Sequence, residues 1–162
     1  MRQNVLIRVD RADTVPEVYV DLDQVLQVIL NVLMNALQAL DKGGELEVWV
    51  GPVRKRLADR SSLGRRAADR LGVRRPAPLL DLVEIRVKDN GPGIPAAVVA
   101  RVFDPFYTTR TQGTGLGLSI CQSIIREHGG SISIESVVGQ GTQVLIDLPV
   151  EKRHGDRRSN PR

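Results

Sequence analysis

Aromatic residues, cysteine and histidine are all scarce in this chain, and each shortage narrows what it can be. Phe, Tyr and Trp make up 3% of its 162 residues, so a core has to be aliphatic, built from Val, Leu, Ile and Ala. The single cysteine, Cys121, excludes an internal disulfide framework and a cysteine-only zinc site. It reads as a small buried apolar residue rather than a nucleophile. No stretch reaches the roughly 18 consecutive apolar residues of a membrane span, and Met1-Arg2-Gln3-Asn4 lacks the apolar run of a signal peptide. A reducing, cytoplasmic setting is expected, with membrane attachment of a longer parent protein left open.

What is present fits one domain. A hydrophobic content of 41% suits a single core, expected over residues 1–150 and followed by a disordered basic tail, 151–162. The formal charge of +4 is unevenly spread. Residues 51–81 hold nine Arg or Lys against three Asp, a balance of +6, and the tail holds five against two, +3. The rest carries 9 basic and 14 acidic residues, −5. The basic pI therefore belongs to two appendages, and no specific nucleic-acid partner is expected.

Periodicity outlines the elements. Val5–Val9 reads as a short strand. A helix follows from Leu22 to Leu40, with Asp21 as cap, Gln24 completing a box-like start, and Gly43-Gly44 as its stop. Glu45–Val50 and Val83–Lys88 alternate as half-buried strands. Residues 51–81, with Pro52, Pro76 and Pro78, read as an Arg-rich mobile excursion from a hairpin, helical in part around Ala58–Leu71. Pro95 suits the first turn of a short helix ending near Phe103. A further helix spans Leu116–His128, and strands Ser131–Ser136 and Thr142–Leu148 close the domain. This order implies an α/β (α+β) two-layer sandwich, a mixed and mainly antiparallel sheet covered on one face by about three helices.

Four constellations carry chemistry. The first helix has no charged residue from Gln24 through Leu40, which suggests burial around most of its circumference. Gln27, Asn31, Asn35 and Gln38 share one face; they form either a satisfied amide network or a stripe whose oxygens suit Mg²⁺. Asp89-Asn90-Gly91-Pro92-Gly93 ends a strand: either a plain turn, or a carboxylate at the base of a pocket, able to accept from an exocyclic amine such as adenine's. Gly113-Thr114-Gly115-Leu116-Gly117-Leu118 opens a helix, a setting for anion binding, yet it is neither a P-loop nor a dinucleotide fingerprint. Phe103-Asp104-Pro105-Phe106-Tyr107-Thr108-Thr109-Arg110 reads as a hydrophobic plug, to which Arg110 would add a movable cation for a terminal phosphate.

In chain order, Asn35, Asp89 with Gly93, Gly113–Gly117 and Gly141-Thr142 resemble the nucleotide site shared by gyrase, heat-shock chaperones, mismatch-repair MutL proteins and histidine kinases, the Bergerat-fold superfamily. Phe-Asp-Pro-Phe-Tyr-Thr-Thr-Arg followed by Gly-Thr-Gly-Leu-Gly-Leu is similar to the sensor histidine kinases in particular. The lid, only Thr111 and Gln112 between Arg110 and Gly113, resembles the nitrogen-regulation type.

The resemblance implies ATP and Mg²⁺ as ligands. Asn35 would ligate the metal, Asp89 bind the adenine amino group, and Gly93 leave room for the base beside Ile94. Gly91 and Thr109 would fall within the same ATP site, Gly113, Thr114, Gly115, Leu116, Gly117 and Leu118 would form the lid and phosphate contacts, and Thr142 would support the adenine end. Asn31, Asn35 and Arg110 would be the catalytic set. Asn31 stands where the hydrolysing branches carry a glutamate base, and an amide cannot take that proton.

The resemblance also implies a phosphoaccepting histidine on a dimerising helical segment. His128 lies at a helix end and His154 in the basic tail. Neither has the His-Glu-x-x-x-Pro context, so the acceptor is expected on another segment and a response regulator downstream. The isolated domain is expected to be monomeric and the full-length kinase homodimeric. The alternative is a nucleotide-sensing interaction module without phosphotransfer.

Overall fold

The computed structural model describes residues 4–56, 79–109 and 113–150. Arg110, the helix expected around Ala58–Leu71 and the tail 151–162 lie outside the described residues. The elements run β1 (Val5–Arg11), α1 (Leu22–Ala39), β2 (Gly44–Arg56), β3 (Leu79–Asp89), α2 (Ala96–Val99), α3 (Gly117–Glu127), β4 (Ser131–Val137) and β5 (Gly141–Pro149). The five strands form one sheet in the order β1-β2-β3-β5-β4. β1 pairs with β2 in parallel and the other pairings are antiparallel. This is the mixed, mainly antiparallel α/β sandwich expected. No helix among the described residues is long and apolar enough to cross a membrane.

The aliphatic core lies between the helices and one face of the sheet. Val25, Val28, Val32 and Ala36 of α1 meet Ile85 and Val87 of β3, Val144, Ile146 and Leu148 of β5, and Cys121, Ile124 and Ile125 of α3. The spacing of three and four along α1 places those four residues on one side of the helix. The expectation that α1 is buried around most of its circumference is wrong. Leu22, Leu26, Leu30 and Met34, each four apart, are 73%, 47%, 53% and 52% exposed. Lack of charge marks a helix without ionised surface, but it does not say that every side is covered.

Capping also differs in part. The Asp21 carboxylate accepts from the Gln24 backbone N–H at 3.1 Å, as a cap should. The reciprocal bond is not made by the Gln24 side chain: the Asp21 N–H donates to Nε2 of His128, 2.9 Å away at the end of α3. His128 Nδ1 lies 2.8 Å from the Ile124 carbonyl. Both contacts are satisfied by a neutral ring carrying its proton on Nδ1, which ties the start of α1 to the end of α3.

Both described ends of the segment expected as an excursion, 51–81, are strand instead. Residues 51–56 and 79–81 are strand, paired from Gly51↔Glu84 to Arg56↔Leu79, with Pro52 opposite Val83. Gly51-Pro52 hides this extension from a propensity reading. Ion pairs along and across strands hold it. On the face away from the helices, Lys55 Nζ is 2.6 Å from Glu84 and 2.8 Å from Asp147, and Arg86 is 2.6 Å from the other Glu84 oxygen. Arg86 also lies over the Trp49 ring, 5.2 Å from its centroid. Burial alone would push the Glu84 carboxyl up, but hydrogen bonds from Lys55 and Arg86 outweigh it and hold the group below its ordinary value. Burial likewise opposes the Lys55 charge, and the bonds to Asp147 and Glu84 overcome it, raising that amine.

Candidate functional site

A cavity of about 530 Å³ opens between α1, the C-terminal end of β3, the loop leading into α2, and the glycine-rich approach to α3. That size suits a small-molecule ligand, whose pockets run to roughly 300–1,000 Å³. Its apolar floor is sheet: Val87, Ile134 and Val144.

The α1 helix contributes Asn31, Asn35 and Gln38 to the lining; Gln27 is exposed and does not line it. The Asn35 Nδ2–H donates to Asn31 Oδ1 at 3.4 Å, and the Asn31 Nδ2–H donates to Cys121 Sγ at 3.2 Å. The amides of Asn31 and Asn35 are thus bonded to one another and also face the cavity. Cys121 is buried, which pushes its thiol up against the opposing Asn31 bond. It is the core residue expected, with the additional part of accepting from Asn31.

Asp89 ends β3 and is 5% exposed. Its Oδ1 accepts from the Gly91 N–H at 2.9 Å and the Thr142 N–H at 3.2 Å. Burial pushes this carboxyl above its ordinary value, and the two backbone bonds only partly oppose that. Both bonds fall on Oδ1, and Asp89 is part of the cavity lining. A group of this kind is improved by a neutral N–H donor such as an exocyclic amine.

Gly93, Ile94 and Thr142 line the cavity near Asp89. Gly93 has φ +70°, and a Cβ there would overlap the Val137 carbonyl. What this glycine makes room for is the turn between β4 and β5, which is packed against the loop by the Gly139 N–H to Pro92 O bond of 2.8 Å. Ser136, which the sequence reading missed, joins these pieces. Its Oγ accepts from the Ile94 N–H at 2.7 Å and lies 2.9 Å from both Gly141 O and Thr142 Oγ1. A serine in a strand carries no signal of such a role.

Thr109, Gly113, Thr114, Gly115, Gly117 and Leu118 line the side formed by the lid. Gly91 and Leu116 do not: Gly91 acts through its N–H on Asp89, and Leu116 caps α3. A Cβ on Gly117 would come within 2.7 Å of Asn31 Nδ2, so the first turn of α3 rests against that amide. The expected plug is Phe103, packed on the core, whereas Phe106 is 75% exposed and Tyr107 lies under Arg101, 4.3 Å away. Asp41, Val98 and Val102 also line the cavity and carried no sequence signal. Among the described residues no group of three or more His, Cys, Asp or Glu could hold a metal ion.

The profile of the histidine kinase-, DNA gyrase B- and HSP90-like ATPases matches residues 20–152. The chain belongs to that ATPase family. It is 40% identical over 147 residues to the sensory histidine kinase/phosphatase NtrB of Rhodobacter capsulatus, covering 91% of this chain and 38% of that protein. It is 34% identical over 157 residues to sporulation kinase E of Bacillus subtilis, covering 97% of this chain and 18% of that one. The solved catalytic domain of the histidine kinase ThkA, nucleotide-free, superposes with TM-score 0.66 at 28% identity, over 91% of this chain and 80% of that one. Within the family, then, the chain is an ATP-binding catalytic domain of the histidine kinase kind. It spans well under half the length of these curated relatives.

Proposed function

We propose that this domain binds Mg²⁺·ATP and donates the γ-phosphoryl group to a histidine on a separate dimerising helical segment of the same kinase, for onward transfer to a response regulator. The observation that carries the reading is the convergence of Asn35, Asp89 and the Gly113–Gly117 loop on one cavity. Asp89 holds the adenine amino group, and Val87, Ile134 and Val144 offer the base an apolar floor. At the other end Asn35 offers an amide oxygen. That donor set fits Mg²⁺, which is commonly held by few protein groups plus phosphates and water. The metal, when bound, neutralises charge developing on the transferred phosphoryl group.

The chain's own contribution is to hold the nucleotide by its base, enclose the phosphates with backbone N–H groups from the lid, and bring the Arg110 cation to the terminal phosphate. Asn31 supplies no base for water, which favours transfer over hydrolysis. The short lid and the likeness to NtrB support a nitrogen-regulation-like subtype.

The test is two-stage. Affinity for an ATP analogue should rise with Mg²⁺ in the wild type and lose that dependence in Asn35→Ala. With the dimerisation segment of its kinase supplied in trans, labelled ATP should yield phosphohistidine on that segment. Tight nucleotide binding with no phosphohistidine would overturn phosphotransfer and leave a nucleotide-sensing module.

A further inference from the structure

Cys121 has no part in the chemistry just described, yet it sits at the end of a side-chain chain that begins at the metal-ligand candidate. Asn35 donates to Asn31 at 3.4 Å and Asn31 donates to Cys121 Sγ at 3.2 Å. The three residues come from two helices, and Cys121 is 1% exposed, so the acceptor is fixed in the core. Asn31 is confined from a second direction by the first turn of α3, where Gly117 leaves no space for a side chain beside the amide.

An amide has a donating and an accepting end, and its partners decide which way round it sits. A buried thiol is a weak donor and can serve as an acceptor. With Cys121 as acceptor, Asn31 turns its nitrogen towards α3 and its oxygen towards Asn35. Asn35 answers with its nitrogen, which directs its own oxygen, the end that can ligate a cation, away from Asn31. Reversing the first amide would reverse the second and present an N–H₂ to the metal.

We infer that Cys121 is a positioning residue for the metal end of the site, setting the orientation of Asn31 and through it the presentation of the Asn35 oxygen. The inference rests on the proposed role of Asn35 as the Mg²⁺ ligand. A hydroxyl in place of the thiol is a strong donor that can bond the Asn31 oxygen and favour the reversed chain, whereas a methyl group removes the acceptor without imposing a direction.

The experiment measures affinity for a fluorescent ATP analogue with and without Mg²⁺, on the full chain, in Cys121→Ser, Cys121→Ala and Asn35→Ala. Partners that orient a metal ligand typically carry about 10- to 100-fold in metal affinity. Cys121→Ser should therefore lower the Mg²⁺-dependent gain by about tenfold, and Cys121→Ala by less, with metal-free affinity unchanged in both. A merely structural role would lower both affinities together and overturn the inference, as would a Mg²⁺-dependent gain equal to the wild type in both cysteine variants. If Asn35→Ala abolishes the gain while the cysteine variants keep it, this inference falls alone; if Asn35→Ala keeps it, the reading of the metal ligand falls as well. Should Cys121→Ser fold poorly, the side-chain amide resonances of Asn31 and Asn35 in ¹⁵N-labelled Cys121→Ala decide the matter: both should move relative to the wild type, and unmoved signals overturn the inference.

Discussion

Glu84 and Asp89 are buried carboxylates five residues apart on the same strand, and the protein shifts them in opposite directions. Glu84 points to the face of the sheet away from the helices, where Lys55 and Arg86 take both of its oxygens, and its carboxyl is held below the ordinary value. Asp89 points towards the helices, where two backbone N–H groups share one oxygen, and burial pushes its carboxyl up. The difference lies in who completes the site. Glu84 is satisfied by its own chain and secures the hairpin. Asp89 is held in place without a counter-charge, so a ligand donor improves it. Polar burial on one face serves the fold, and on the other, under the function proposed, it serves recognition.

The largest effect that sharpens this contrast is on stability. Glu84→Gln removes a buried, doubly paired charge and leaves Arg86 and part of Lys55 without their partner. The charges left behind stay partly solvated and Lys55 keeps Asp147, so the loss falls below that of a fully buried pair, at about 1.5–3 kcal/mol, still a sizeable share of the stability of a domain of this size. Chemical denaturation should show that loss. Nucleotide affinity, measured on the folded fraction, should stay close to the wild type, because Glu84 faces away from the cavity. A matching loss of affinity would break the separation of the two faces.

The converse variant should act on binding. Asp89→Asn keeps the shape and still offers an oxygen to Gly91 and Thr142, but it loses the charged acceptor. A hydrogen bond to a charged group contributes about 1.5–3 kcal/mol, so affinity for an adenine nucleotide should fall roughly 10- to 150-fold. Stability should be unchanged or slightly higher, since the folded state disfavours the ionised carboxyl. Isothermal titration beside thermal denaturation checks both halves. Unchanged affinity would remove Asp89 from the site.

Parts of this contrast were legible in the sequence and parts were not, for physical reasons. Asn35, Asp89 and the Gly113–Gly117 loop stood out through their resemblance, in chain order, to the boxes of a known nucleotide site, and Asn35, Asp89, Gly113, Gly115 and Gly117 line one cavity. The strands and the two longer helices followed from periodicity. The Glu84 network left no trace, because Lys55 and Asp147 are 92 residues apart and meet only through strand pairing. The same is true of the His128 bond to the Asp21 N–H, 107 residues away. Val87, Ile134 and Val144 read as ordinary strand residues, since an apolar side chain under a ligand has the same pattern as one under a helix. The open face of α1 was misread because an uncharged helix does not reveal which of its sides is covered.

Acidification gives the smallest and most direct comparison of the two carboxylates. Glu84 has a folded value below its ordinary 4.5, so its stabilisation is fully present above that pH and is lost as pH falls through the folded value. Asp89 has a folded value above its ordinary 3.8, so the unfolded chain ionises first as pH rises. Its burial therefore costs stability at neutral pH, and that cost disappears on acidification. Binding runs the other way, because an adenine amine needs the ionised acceptor. As pH falls, nucleotide affinity should begin to drop while the Glu84 network still holds the fold, and unfolding should follow at lower pH. In Asp89→Asn the early drop should vanish, leaving affinity weak and nearly flat until the protein unfolds. In Glu84→Gln the drop in affinity should persist, and the part of the acid unfolding driven by Glu84 should be absent. Parallel fluorescence titrations of binding and of folding from neutral to acidic pH separate these outcomes. Coincident loss of both in the wild type would mean that the two carboxylates are not independently tuned.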